Sequence, residues 1–321
     1  QIFFSDFYLI YAGSEILNQG SNPYKEWLEI HNNPFFNPPI VFQFFKFIAN
    51  FEYSQIVKIW FFFLFLSYFC IPFILFKTFK INLKFFYIFL VCFGGISISV
   101  FLTGNLSIIL SAFFAISLFF LSKDKYHFFY LILSILSLIK FPYLIFFGIP
   151  FLVRGLKKEV FINTFFYLTF ISLLYLISFY QNSELFISWI NSLEFSKSIG
   201  DSGDFGRGLF RLFENYFFSG SYLNYIIYFL ISGILFLFLI LLFKNSKILK
   251  DTNLAIAFSI VALSIFLPRL KSYDVLITIP CLFFIIKTLD FKISKSINSS
   301  IKFLLFLMLF CWTSPYAPIC L

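Results

Sequence analysis

Charge is what this chain has least of. Of its 321 residues 12% are Asp, Glu, Lys or Arg, about half the share in an ordinary soluble domain. Another 60% are hydrophobic, which excludes a water-soluble fold because too little polar surface is left to cover a core. Histidine is nearly missing: His31 and His127 are the two present. The topology read below puts them on opposite sides of a membrane, so they form neither one metal site nor an acid–base pair. Five cysteines show no Cys-x-x-Cys spacing. Cys70, Cys92, Cys281 and Cys311 lie in apolar stretches and read as packing residues, with an outer pairing of Cys311 and Cys320 as the alternative. P-loop, Gly-x-Ser-x-Gly and dinucleotide fingerprints are all missing, so nothing points to nucleotide phosphates or to an α/β-hydrolase.

What the chain does have is long apolar runs. A bilayer crossing takes roughly 20 apolar residues. Runs near 55–76, 85–102, 106–121, 128–139, 141–153, 161–179, 223–243, 254–267, 275–287 and 301–312 predict ten membrane segments. The expected class is all-α, a polytopic membrane protein with residues 1–321 in one transmembrane domain. The 57 Phe read as codon bias of an AT-rich genome, so Phe61-Phe62-Phe63 is not taken as a binding stripe. Gln1 is followed at once by a loop-like segment, and one more helix or signal anchor is expected upstream.

The placement of the few charges predicts topology. Lys140-Phe141-Pro142 interrupts the run 128–153. Lys123 and Lys125 precede it and Arg154, Lys157 and Lys158 follow it, so the positive-inside rule puts both flanks in the cytoplasm. Two short helices meeting at Lys140 are therefore expected instead of one kinked crossing. With that parity the loops 77–84, 122–127, 154–160, 244–253 and 287–302 are cytoplasmic and hold 15 of the 24 basic residues but four of the 15 acids. The net charge of +9 is then a topology signal and not a sign of nucleic-acid binding. The outer side receives 1–54, 103–105, 180–222, 268–274 and the tail after Trp312. Its two long loops, 1–54 and 180–222, exceed what a connector needs.

The candidate chemistry falls on that outer side. Asp6 precedes an amphipathic helix that ends in an Asn18-Gln19-Gly20 turn, which puts its carboxylate at the membrane surface; an ordinary N-cap is the alternative. Lys140 would cost roughly 2.5–3.5 kcal/mol at mid-membrane without a partner, so it faces a wet cavity or an anion, or it snorkels to the interface. Arg269 and Lys271 flank a turn and suit a phosphate by charge and donor count, with Tyr273 and Asp274 beside them. Arg207 and Arg211 stand at helical spacing, as phosphate contacts or as a solvated helix face. Asp201-Ser202-Gly203-Asp204 has the outline of a nucleotide-sugar metal motif, but it lies on the side away from cytoplasmic nucleotides. Neither a metal nor a cofactor is expected.

Taken in order, Asp6-Phe7, Gly20-x-Asn22-Pro23-Tyr24, Pro38-Pro39, Thr103-Gly104-Asn105, Ile139-Lys140-Phe141-Pro142 and Pro268-Arg269-Leu270-Lys271-Ser272-Tyr273-Asp274 resemble glycosyltransferase family 87. Its members are polyprenol-phosphate-mannose-dependent enzymes of the C-type (GT-C) membrane fold. The resemblance implies a GT-C-like helix bundle in a bacterial plasma membrane with its active site facing outward. It also implies a polyprenyl-phosphate sugar donor, mannose by preference, a lipid or glycan acceptor, and no nucleic acid. Asp6 matches the acidic position associated with the catalytic base. Lys140, Arg269 and Lys271 match donor-phosphate positions, and Tyr24, Asn105, Arg207, Arg211, Tyr273 and Asp274 are further candidates for substrate contact. Some family members carry histidines in the late region, and this chain has none there. The competing readings are a transporter or flippase for a lipid-linked or anionic substrate, which predicts inverted repeats and ionisable residues in mid-span, and an assembly protein without catalysis.

Overall fold

The computed structural model describes residues 4–31, 34–80, 100–199, 210, 222–246, 251–267 and 276–288. Among these residues all regular structure is helical. In chain order come α1 (Ser5–Asn18), α2 (Pro23–His31), α3 (Pro39–Phe45), a 3-10 turn (Lys46–Asn50), α4 (Tyr53–Phe79), α5 (Ser107–Ser122), α6 (Tyr126–Ile139), a 3-10 segment (Phe141–Gly148), α7 (Ile149–Arg154), α8 (Lys158–Gln181), α9 (Ser183–Ile199), α10 (Tyr222–Asn245), α11 (Thr252–Ser264) and α12 (Thr278–Thr288). Three stretches are long and apolar enough to cross a membrane: Tyr53–Phe79, Lys158–Gln181 and Leu223–Asn245. At 1.5 Å per residue the first is about 40 Å long, against a hydrocarbon core of about 30 Å. Their outward faces carry large apolar side chains, among them Phe62 and Phe73 on α4, Phe165 on α8 and Phe229 and Phe238 on α10. Faces of that size are a liability in water and the normal solvated surface in lipid.

The long helices surround shorter ones. α5 packs between α4 and α6, and α11 packs on α12, α7 and α5. The expected break at Lys140 is present. Lys140 has extended backbone angles, φ −139 and ψ 95; were the helix to continue, Pro142 would lack a donor for the Leu138 carbonyl and its ring would clash with it. The chain then doubles back. The rings of Tyr130 and Phe147 lie 5.4 Å apart between centroids, whereas one straight helix would separate them by about 25 Å. Arg154 pairs with Asp124 where the two arms end, so both flanks of the hairpin sit together. The ammonium groups of Lys77 and Lys123 stand at the same end, 5.7 and 6.0 Å from the centroid of Phe119.

The opposite end is a layer built from α1, α2, α3 and α9. α2 starts where the Asn22 side chain accepts a hydrogen bond from the Tyr24 N–H at 3.1 Å, with Pro23 at the first helical position, where an N–H has no intrahelical partner to lose. Gly13 lets α1 approach α3, since a Cβ there would stand 2.3 Å from the Phe42 ring. The segment 180–222, read from sequence as a loop, contains the 17-residue helix α9, started by Asn182, whose side chain accepts from the Leu185 N–H at 3.0 Å. α9 lies on α2 through Asn22 Nδ2 donating to Ser188 Oγ at 3.0 Å and a Lys25–Glu184 ion pair at 2.6 Å. Trp189 Nε1 donates to the Phe36 carbonyl at 3.2 Å. The described parts of the two long segments 1–54 and 180–222 thus pack on each other. The spans expected at 85–102 and 301–312 lie outside the described residues, apart from 100–102.

Candidate functional site

Asp6 sits in the first turn of α1, but it is not the cap; that place belongs to Phe4, at φ 59. The start of α1 is bound to the turn before α5 instead. The Asp6 N–H donates to the Thr103 carbonyl at 2.9 Å, and the Gly104 carbonyl accepts from Trp60 Nε1 at 2.9 Å. Phe7 stacks on Trp60 with centroids 4.3 Å apart. Glycine is required at 104 twice over. Its φ is +70, and a Cβ would stand 2.6 Å from Phe4 Cβ and 3.2 Å from Phe4 Cα.

That turn delivers Asn105 to the carboxylate. Asn105 Nδ2 donates to Asp6 Oδ2 at 2.7 Å, while Asn105 Oδ1 accepts from the Ser107 N–H at 2.8 Å. The two contacts fix the amide orientation, since the carboxylate needs a donor and the N–H an acceptor. Ser107, buried in the first turn of α5, then accepts from Lys140 Nζ at 3.2 Å. Asp6, Asn105, Ser107 and Lys140 form one connected series across three elements. With ordinary covalent lengths between the contacts, the carboxylate and the ammonium are no more than about 15 Å apart.

Lys140 also lines a narrow cleft with Ser111, Tyr143, Leu267, Ile277 and Thr278, among others. Behind that wall Ser264 and Thr278 share a hydrogen bond at 3.0 Å. Leu267 and Ile277 flank the segment that carries Arg269, Lys271, Tyr273 and Asp274, so the chain on either side of that segment reaches the Lys140 cleft. Those four residues, and Arg207 and Arg211, lie outside the described residues.

Tyr24 is placed otherwise than its motif suggested. Its ring is 1% exposed and packs edge-on against Phe35 and Phe42, and its hydroxyl donates to the Asn37 carbonyl at 2.5 Å. Burial pushes the hydroxyl pKa well above its usual range. Tyr24 is thus a packing residue of the layer formed by α1, α2, α3 and α9, and Asn22-Pro23-Tyr24 is a helix start with its anchor. Ser107 and Trp60 were missed by the motif reading. Asn105-x-Ser107 ahead of an apolar helix is an N-terminal capping pattern that could have revealed the first; nothing local marks Trp60. His31 stacks on Trp27 at 3.9 Å in α2, while His127 lies beside Tyr167 near the Asp124–Arg154 end. Among the described residues no three His, Cys, Asp or Glu side chains stand together as metal ligands.

The arrangement joins a carboxylate acceptor, held by an amide donor, to an ammonium at the tip of a helical hairpin, beside the N-terminus of α5. A carboxylate so held can take a proton, and an ammonium beside a helix N-terminus favours an anion. Comparison of the chain with protein-family models, with curated proteins and with solved structures finds no match, so the likeness to glycosyltransferase family 87 rests on the motifs themselves.

Proposed function

We propose that this chain is a multi-pass membrane glycosyltransferase. It moves a sugar, mannose by resemblance, from a polyprenyl-phosphate carrier to an acceptor hydroxyl on the non-cytoplasmic side. The observation that carries the reading is the connected series from the Asp6 carboxylate through Asn105 and Ser107 to the Lys140 ammonium. Three positions singled out separately along the chain meet in it. Asp6 takes the proton of the acceptor hydroxyl, whose oxygen forms the new bond to the anomeric carbon. The carbon–phosphate-oxygen bond breaks, and its electron pair leaves with the polyprenyl phosphate. Phosphate is a good leaving group at neutral pH, so one base and one set of cations suffice. Lys140 supplies the first cation, and Arg269 and Lys271 are assigned to the same phosphate, their segment being bounded by Leu267 and Ile277 of the Lys140 cleft. Base and acceptor lie on the sugar face opposite the leaving group, as in inverting glycoside chemistry.

A helix break with a cation at its tip is also how transporters build substrate sites. The two readings part in one assay. Purified protein in proteoliposomes is given a radiolabelled polyprenyl-phosphate sugar and a mixed lipid and glycan acceptor fraction, and labelled product is counted. Formation of a labelled glycoside supports the transferase. Movement of unchanged donor between leaflets, with no glycoside formed, supports the transporter and ends the transferase reading.

A further inference from the structure

A second site stands at the end of the bundle opposite Asp6, where Lys77 of α4 and Lys123, just past α5, converge on one ring. Their ammonium groups lie 5.7 and 6.0 Å from the centroid of Phe119, so two like charges come from separate helices to one place. The nearest acid in sequence, Asp124, is engaged by Arg154, and Lys80 and Lys125 add further exposed positive charge. Two exposed ammonium groups beside one ring offer an anion two charge-assisted contacts. The surface below them is apolar. On α4 the exposed Phe69 and Phe73 lead up to Lys77 along one face. α4 and α5 pack directly against each other, so this apolar stripe ends where the two lysines meet.

We infer that this seam binds an anionic phospholipid, with its phosphate at Lys77 and Lys123 and an acyl chain along Phe69 and Phe73. Charge alone would suit any phosphate. The apolar stripe ending at the two lysines selects an amphiphile, because free phosphate would leave it uncovered. The inference requires that the chain lies in a membrane and does not require that it transfers sugar.

The test uses the full chain in detergent–lipid micelles and in nanodiscs. Native mass spectrometry compares retention of phosphatidylglycerol with that of phosphatidylcholine, for the wild type and for K77Q/K123Q. A lysine engaging an anionic headgroup is worth about a fivefold preference, so K77Q/K123Q should lower the wild type's preference for phosphatidylglycerol over phosphatidylcholine by at least about tenfold. The control K157Q/K158Q, which removes the same charge elsewhere at that end, should keep the preference. A photoactivatable phosphatidylglycerol should label peptides spanning 69–77 and 119–123, which keeps the inference testable if the double variant folds poorly. Equal retention of both lipids by the wild type would overturn it. So would an equal loss in the control, or displacement of phosphatidylglycerol by millimolar inorganic phosphate, which would mark a general charge effect or a free-anion site.

Discussion

Gly104→Ala tests the geometry that holds Asp6, and Gly20→Ala is its internal reference. Both glycines have left-handed backbones, φ +70 and +84, so an alanine costs about 1–2 kcal/mol at either from backbone strain. Their surroundings differ. Nothing lies within 4 Å of a Cβ added at Gly20, whereas one added at Gly104 would stand 2.6 Å from Phe4 Cβ and 3.2 Å from Phe4 Cα. Phe4 is 1% exposed and its ring packs against Phe61 and Phe101, so it cannot simply turn away. Overpacking of this kind costs about a further 1–3 kcal/mol. Gly20→Ala should therefore lose about 1–2 kcal/mol and Gly104→Ala about 2–5 kcal/mol in reversible unfolding titrations in mixed micelles. Because Phe4 leads directly into the turn bearing Asp6, Gly104→Ala should also disturb the Asp6–Asn105 contact, and Gly20→Ala should not. Equal losses for the two variants would refute the claim that the approach of Phe4, and not φ alone, requires glycine at 104.

Asn105→Ala removes a donor to a carboxylate and the acceptor for the Ser107 N–H. Unfolding titrations should show a loss of about 2–4 kcal/mol, from a charge-assisted hydrogen bond and a capping contact together, and Asn105→Asp should do no better because it sets one carboxylate against another. Cysteines placed at Asp124 and Arg154 should join through a short bis-maleimide and label from one side of the membrane; labelling from opposite sides would contradict the hairpin. The neighbouring Lys25 ammonium holds the Glu184 carboxyl below its usual 4.5, so the tie between α2 and α9 contributes above the unfolded-state value and is lost as pH falls through the lower folded one. Protection of the amides at the start of α9, relative to their intrinsic exchange rates at each pH, should fall on acidification in the wild type and should not change over that pH range in Glu184→Gln. Transfer should persist in excess chelator, and activity restored only by Mg²⁺ or Mn²⁺ would count against the mechanism.

Much of this architecture is legible in the sequence, for reasons that lie in particular residues. Apolar run length marks α4, α8 and α10 because a crossing needs a fixed length of helix. Pro142 marks the break, and the basic residues on both sides of it foretell that the hairpin's ends lie together, as the Asp124–Arg154 pair has them. Asp6, Asn105 and Lys140 can be picked out singly because polar groups are rare here. Their connection cannot be read, since it passes through Ser107, a small residue with no distinctive pattern of its own, and rests on Trp60, one aromatic among many. Tyr24 misleads for the opposite reason. A motif can be retained for packing as readily as for substrate, and only burial and the occupied hydroxyl distinguish the two. Helix α9 is hidden by its polar content, because its stability comes from leaning on α2 and α3 and not from a run long enough to cross a membrane.

Asp6 is proposed as the base in sugar transfer from a lipid phosphate, and the most direct measurement separates donor binding from turnover in Asp6→Asn. The amide keeps the size of the carboxylate and can still meet Asn105 after a flip, so the layer around α1 should fold and the polyprenyl-phosphate sugar should bind as it does to the wild type. Single-turnover transfer should be slower by about 10²–10⁴-fold, the usual worth of a positioned general base. Undiminished transfer by Asp6→Asn would contradict that role.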